Sequence, residues 1–521
     1  MSKLSRRDFL KLAAAASAGV LLPRALTEAA ASYCVTQRSQ RPNVLILLFD
    51  SMSARHLSLY GYPRETTPHL TRFAERAIVY HAHVSAGNYT TPATASLLTG
   101  LYPWTHRALQ FGGLIRRDLE AVNIFRLLGN DFHRYVFSQN LLSDVLAAQF
   151  GEDVEEHLPP TSFSIGGDDL LMDKFPNDRA LSWHVFQDFL VALSPYLPAS
   201  LIGGYLNSVN SLRKISYYRA GKVPDHPYGA PLLADYNIAY TNDRLFRGVA
   251  AEIQRLAAHS DSPCFAYFHL YSPHEPYKPH RRFTNLFVDD GYRPPFKPHH
   301  PLAGNFSDDD LLHKRLMYDQ FIANVDAEFG TLMDTLEAAG ALKNTWIIVT
   351  SDHGQLFERG DHGHGTNLMN EGVLHIPLLI SAPGQTERQD VYIPTSNVDL
   401  LPTLLFLLGQ EVPGVVEGTI LPAFGASAET DRPVFSIQAP YNSAFAPLQK
   451  GSMAMRKGAY KLIAYLGYPE FQQGFELYNL EEDPDELNDL FAKESVIANR
   501  MRDEFLTALE RANQPFVSSR N

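Results

Sequence analysis

Two widely separated apolar runs end abruptly in side chains that bind cations. Asn43-Val44-Leu45-Ile46-Leu47-Leu48-Phe49 stops at Asp50, and Thr345-Trp346-Ile347-Ile348-Val349-Thr350-Ser351 stops at Asp352-His353-Gly354. Near-continuous apolar runs of this length predict strands buried on both faces of a parallel sheet. In open α/β sheets, chemistry gathers beyond the carboxyl ends of such strands. Asp50, Asp352 and His353 are therefore expected to converge, and two carboxylates with an imidazole suit one divalent cation. Their oxygen atoms favour calcium, magnesium or manganese, and the imidazole admits zinc.

Strand-like and helical patterns alternate along the rest of the chain, which predicts an α/β fold. An amphipathic stretch follows Thr67-Pro68 and ends near Arg76, residues 88–100 read as a loop then a helix, and 124–128 as a helical face. Helices are expected over about 236–256, 316–339 (with Gly340 as a stop) and 399–408, and strands over 264–271 and 376–380. From residue 446 the style changes to strands at 460–465 and 476–480 and a helix at 494–512, a small C-terminal α+β subdomain over 446–521. Residues 151 to about 235 are rich in Pro and Gly and lose the alternation, so they read as an insertion. Within it, 189–209 is largely apolar but broken by Pro195, Pro198, Gly203 and Gly204. Those breakers favour buried helices over a membrane span. An apolar substrate lid or interfacial patch is the sharper reading.

Ser5-Arg6-Arg7-Asp8-Phe9-Leu10-Lys11 and the apolar stretch from Leu12 to Leu22 form a twin-arginine export signal. Ala29-Ala30-Ala31 offers a cleavage site, giving a signal over 1–31 and a main domain over 32–445. That signal holds five basic and two acidic residues, so cleavage moves the net charge from −12 to about −15. An acidic surface excludes nucleic acid as the main partner. Cys34 and Cys264 are the only cysteines, and Cys264 opens an apolar run, so no disulfide framework is implied.

Asn88-Tyr89-Thr90-Thr91-Pro92-Ala93-Thr94-Ala95-Ser96-Leu97-Leu98-Thr99-Gly100 adds a candidate nucleophile. Pro92 suits a first helical turn and places Thr90 or Thr91 at the cap, where backbone N–H groups and the helix dipole favour an anion. A threonine hydroxyl attacks only when a metal or base activates it, and the cation expected at Asp50, Asp352 and His353 supplies that activation. His364 in Asp361-His362-Gly363-His364-Gly365 and His274 in Pro273-His274-Glu275-Pro276-Tyr277 are candidate acids, because an imidazole titrates near working pH. His362 either assists them or is solvated. His269, within its strand, and His106 read as structural.

In their order along the chain, Asn43 to Asp50, Thr90 to Gly100 and Ser351 to Gly354 resemble the sulfatase branch of the alkaline phosphatase superfamily. Gly100-Leu101-Tyr102-Pro103, the His274 motif, Ile376-Pro377-Leu378, Val398-Asp399-Leu400-Leu401-Pro402-Thr403, residues 455–463 and Glu476-Leu477-Tyr478-Asn479-Leu480 are similar to further family landmarks. The resemblance implies a mixed, mostly parallel sheet sandwiched by helices. It also implies one metal held by Asp50, Thr90, Asp352 and His353, and substrate contacts from His274, His362, His364, Thr94 and Asn88.

Departures from the pattern redirect the chemistry. Thr90 fills the slot of the cysteine that sulfatases oxidise to formylglycine, and Thr94 fills that of an arginine. Ser51 replaces a second aspartate, and the family's Gly-Lys-Trp-His segment has no counterpart beyond Phe137-Ser138-Gln139-Asn140. Threonine cannot become formylglycine, so the chain looks like the threonine-nucleophile phosphodiesterases and phosphotransferases of the superfamily. The expected activity is an exported, metal-dependent hydrolase that cleaves phosphate diesters or sulfate esters through a covalent Thr90 intermediate. Its expected substrates are small-molecule, glycan or lipid esters, with room for peripheral membrane contact. A phosphoglycerol or phosphoethanolamine transferase, a sulfuric ester hydrolase using unmodified Thr90, and a catalytically silent binding protein are the alternatives.

Overall fold

The protein is described by a computed structural model covering residues 41–164, 232–234, 238–259, 262–425 and 431–517. The expected signal, Cys34, and most of the expected insertion, including 189–209, lie outside the described residues.

The two apolar runs are adjacent strands. Asn43–Phe49 pairs in parallel with Thr345–Ser351 on one side and Cys264–Leu270 on the other. Eight strands lie in the order Gln389–Val391, Ile78–Tyr80, Leu378–Ser381, Thr345–Ser351, Asn43–Phe49, Cys264–Leu270, His133–Ser138 and Glu156–Leu158. Leu378–Ser381 alone runs antiparallel to both neighbours, so the sheet is mixed and mostly parallel. Alternate residues of the central strand face opposite layers. Leu45, Leu47 and Phe49 pack with helices Pro68–Ala74, Asn242–His259 and Asp308–Ala338. Val44, Ile46 and Leu48 pack with Thr90–Thr99, Ile124–Leu128 and Leu400–Leu407. Burial of each such side chain contributes about 1.5–3 kcal/mol, which is why the strand has no polar alternation. The fold class is the α/β sandwich that the sequence predicts.

Two helix starts differ from expectation. The helix expected from residue 236 begins at Asn242, because Ile238–Tyr240 is drawn into an antiparallel pair with Leu232–Ala234. The helix expected from residue 316 begins at Asp308, where the Ser307 side chain accepts from Asp310 N and three aspartates of the first turn suit the helix dipole. Cys264 is buried and free, and burial pushes its thiol up to about 12, so it is chemically quiet. Among the described residues, no helix is long and apolar enough to cross a membrane.

A second, antiparallel sheet comprises Val434–Gln438, Gly451–Lys457, Tyr460–Leu466 and Phe475–Asn479. One face packs through Met453, Met455 and Leu462 on Met501, Phe505 and Leu509 of the Ser495–Val517 helix. The other face packs through Ala454, Ile463 and Tyr465 on Leu356, Leu368, Met369 and Val373, which flank the loop carrying His364. Lys461 fastens this junction: its buried Nζ lies 2.8 Å from both Glu371 Oε1 and Glu486 Oε1. Replacing Lys461 with Met would leave two buried carboxylates facing each other. The expected loss is about 3–5 kcal/mol of stability, measurable by urea unfolding.

Three buried histidines make the fold acid-sensitive. Burial pushes the imidazoles of His83, His106 and His375 down to about 3 from 6.5. Each binds its proton more readily in the unfolded chain, so the stability it contributes is full above pH 6.5 and is lost as pH falls toward 3. Thermal unfolding across that range should show a falling midpoint, and His106→Gln should flatten the decline.

Candidate active site and metal centre

The strand ends are in register. Phe49 stands opposite both Ser351 and Leu270, so the residues that follow them emerge side by side. Asp50, Asp352 and His353 are buried, and each offers a ligand atom within 4.8 Å of the others. His353 Nε2 lies 3.3 Å from Asp352 Oδ2 and 3.8 Å from Asp50 Oδ1. His353 Nδ1 donates to the Gly354 carbonyl at 2.9 Å, which leaves the Nε2 lone pair aimed at the carboxylates. Gly354 is required there, since a Cβ would lie 2.3 Å from the Gly372 carbonyl oxygen.

Ser51 holds the two carboxylates together. Its φ of 62° is in the left-handed region that non-glycine residues seldom adopt. From that conformation its N–H donates to Asp352 Oδ1 at 3.1 Å and its hydroxyl to Asp50 Oδ1 at 2.9 Å. Tyr318, from the long helix, donates to the Ser51 carbonyl and accepts from Ser53 N, fixing the turn from below. Strain of this kind persists where its surroundings over-determine it.

Thr90 opens the Thr90–Thr99 helix as its first helical residue. The cap position falls to Tyr89, and its side chain makes no capping bond. The expectation of Thr90 or Thr91 at the cap is therefore corrected: Pro92 occupies the third helical position, one of the first-turn sites where a missing N–H costs nothing. Thr90 Oγ1 lies 3.3 Å from His353 Nε2 and 3.3 Å from Asn140 Nδ2. Asn140 also donates to Asp50 Oδ2 at 2.5 Å, while its Oδ1 caps the Leu141–Gln149 helix. Asn140 was not among the residues expected here, although it follows the His133–Ser138 strand just as Asp50 follows its own.

A histidine pair closes the opposite wall. His274 Nδ1 donates to the Glu275 carbonyl at 2.7 Å, and His364 Nδ1 meets Gln355 Oε1 at 2.8 Å. Their Nε2 atoms therefore face each other, 3.3 Å apart. The His364 ring also lies against His353, with centroids 4.4 Å apart. Gln355 is a second residue the sequence reading did not pick out; its Nε2 donates to Tyr277.

The remaining candidates sit farther out. His362 turns toward the Tyr277 hydroxyl, 3.3 Å from its Nε2, and packs on Phe306 and Phe357. Asn88 donates to the Thr366 carbonyl at 2.8 Å and so ties the His364 loop to the Thr90 helix. Thr94 is buried one turn beyond Thr90, and its hydroxyl has no partner. His106 is a buried contact of Ser96, 3.0 Å away, remote from this cluster.

The electrostatics describe a site built around positive charge. Burial opposes ionisation of Asp50, but His274, His269 and His353 outweigh it and hold the carboxyl well below the usual range. Burial and the negative charge of Asp50 push Asp352 up. Burial, with His353 and His274 beside it, holds the His364 imidazole well down, and burial lowers His362 to about 4. Asp352 Oδ2 is buried without a hydrogen-bond partner. Two carboxylates, a lone-pair nitrogen and an orphaned oxygen fit a divalent cation.

The Sulfatase family model matches residues 42–143 and 201–410, and the model for the C-terminal region of N-sulphoglucosamine sulphohydrolase matches 360–512. A twin-arginine translocation signal matches 3–23. The chain belongs to the sulfatase family and carries a twin-arginine signal sequence. Choline-sulfatase of Rhizobium meliloti (strain 1021) is 23% identical over 488 residues, 86% of this chain and 82% of that protein. N-acetylgalactosamine-6-O-sulfatase of Bacteroides thetaiotaomicron is 24% identical over 421 residues, covering 72% of this chain and 74% of that protein. Phosphonate monoester hydrolase of Agrobacterium radiobacter shares the fold, with a TM-score of 0.65 at 22% identity over 91% of this chain and 96% of that one. This protein is a sulfatase-family hydrolase with the alkaline-phosphatase-like fold.

Proposed function

We propose that the protein is an exported phosphodiesterase that works through a covalent Thr90 intermediate. The observation that carries this reading is the position of Thr90 Oγ1, 3.3 Å from His353 Nε2 and joined through Asn140 to Asp50. A divalent cation held by Asp50, Asp352 and His353 would acidify the Thr90 hydroxyl and withdraw charge from the ester oxygens. Thr90 Oγ1 gives its proton to water and attacks phosphorus; the new O–P bond forms as the bond to the departing alcohol breaks. His274, whose Nε2 faces that of His364, gives that alcohol its proton. Water then attacks the same phosphorus, and the threonine oxygen leaves and regains a proton.

Two features favour a diester. Thr90 cannot be oxidised to formylglycine. Among the described residues, the hydrogen bonds and ion pairs of Asp50, Thr90, His274, Asp352, His353 and His364 include no Lys or Arg. A singly charged diester needs less cationic compensation than a doubly charged monoester. The sulfatase relatives support a second reading, sulfate ester hydrolysis by unmodified Thr90. The phosphonate monoester hydrolase neighbour adds a singly charged substrate to the panel. Metal-loaded protein should be assayed on bis(p-nitrophenyl) phosphate, a p-nitrophenyl phosphonate monoester, p-nitrophenyl phosphate and p-nitrophenyl sulfate. The diester or phosphonate should turn over fastest. Fastest turnover of the sulfate would move the assignment to the second reading, and no hydrolysis of any would leave a transferase or a silent protein. The twin-arginine signal supports export, with the reaction in the periplasm, at the cell surface or outside the cell.

A further inference from the structure

His269 was expected to be structural, yet its ring stands at the carboxylates. Leu48 is its partner in the parallel register, and Asp50 N donates to the next carbonyl, that of Leu270. The pleat sets residue 269 on the same sheet face as Phe265 and Tyr267, the face covered by the Thr90–Thr99 helix. His269 is fully buried, and its Nε2 has no hydrogen-bond partner. That nitrogen lies 3.5 Å from Asp50 Oδ2 and 3.7 Å from Asp352 Oδ2. The second of these oxygens also lacks a hydrogen-bond partner.

These separations are long for hydrogen bonds, which centre near 2.9 Å. They match ligands of a shared ion: with metal–ligand bonds of about 2.1 Å, tetrahedral ligand atoms stand about 3.4 Å apart. His353 Nε2 approaches the same Asp352 Oδ2 at 3.3 Å, so one carboxylate oxygen is flanked by two imidazole nitrogens. On its far side, His269 Nδ1 meets the buried Tyr267 hydroxyl at 3.2 Å. Donation from Nδ1 to that oxygen puts the lone pair on Nε2, the tautomer a ligand needs.

We propose that His269 is a ligand of the metal, through Nε2, so that the site pairs two carboxylates with two imidazoles. The inference rests on the metal-dependent reading above and goes further, because it selects the ion. Calcium, magnesium and manganese favour oxygen ligands, whereas two imidazole nitrogens favour a dication such as zinc.

The test uses the mature protein, stripped with chelator and titrated calorimetrically with Zn²⁺, Mn²⁺, Ca²⁺ and Mg²⁺, with X-ray absorption on the zinc-loaded form. Wild type should bind zinc more tightly than manganese, calcium or magnesium, with two histidines in the zinc shell. His269→Ala should lose at least tenfold in zinc affinity and show one histidine, and His269→Gln, which keeps bulk and hydrogen-bonding capacity, should behave the same way. Circular dichroism of the stripped variants checks that they are folded. Unchanged zinc affinity and histidine count in either folded variant would overturn the assignment of His269. If Asp352→Asn abolishes binding while His269→Ala does not, this inference alone falls. A wild type that binds no divalent cation sinks it together with the metal-dependent mechanism.

Discussion

Replacing Thr90 with alanine should lower kcat/KM by about a thousandfold or more on whichever ester the enzyme turns over fastest. The size follows from the role: Thr90 supplies the hydroxyl that lies 3.3 Å from both His353 Nε2 and Asn140 Nδ2, so the two-step route disappears with the side chain. The fold should barely notice. Thr90 Oγ1 makes only two contacts, each at 3.3 Å, and does not cap its helix. Losing them costs on the order of 1 kcal/mol. Asp50, Asp352 and His353, proposed to hold the metal, remain, so titration with the metal should still give binding. Thr90→Ser, which keeps the oxygen, should retain measurable turnover. Steady-state kinetics with a thermal midpoint for each variant checks all three statements. Equal rates for Thr90→Ala and wild type would remove Thr90 as nucleophile.

Asp352→Asn should act in opposite directions on function and on metal-free stability. Asp352 Oδ1 already accepts from Ser51 N and His353 N, and an asparagine oxygen can keep both bonds. What disappears is the second negative charge. The metal should bind at least a hundredfold more weakly, and turnover should fall with it. Without the metal, that charge is a burden: burial and Asp50 push the Asp352 carboxyl up. A group with a raised folded pKa contributes its stability at low pH and loses it as pH rises through that value. Relative to stripped Asp352→Asn, the stripped wild type should therefore lose stability as pH rises above the ordinary carboxylate range, and the variant should be the more stable of the two at neutral pH. Adding metal should raise the wild-type midpoint and leave the variant nearly unmoved. Thermal unfolding with and without chelator measures each effect.

The parts of the site that were legible in the sequence are those where a strand ends. Asp50 and Asp352-His353 follow unbroken apolar runs, and parallel pairing in register makes convergence a geometric necessity. Thr90 was legible through its helix start, although its cap position was misplaced by one residue. Asn140 obeys the same strand-end rule but was passed over, because amides carry no charge and the strand before it, His133–Ser138, is not uniformly apolar. Gln355 was invisible, since its importance lies in what it holds, the His364 imidazole. His269 was read as mid-strand, whereas it is the next-to-last residue of Cys264–Leu270. The strand ends at Leu270, so residue 269 is the last on the face toward the Thr90–Thr99 helix, and counting its parity from Tyr267 would have shown the face. The short strand Ile238–Tyr240 went unseen because its partner lies in a region with no readable period.

The account turns on a covalent bond to one side chain, and trapping it is the most direct measurement. The metal-loaded enzyme should be acid-quenched during the first turnover of its fastest substrate and digested for peptide mass spectrometry. For a diester, one phosphoryl group still carrying its second alcohol should sit on Thr90, or the corresponding group of a sulfate or phosphonate substrate, appearing with a burst of the first alcohol and decaying with turnover. A burst of alcohol with Thr90 unmodified, or with the group on another residue, would contradict it.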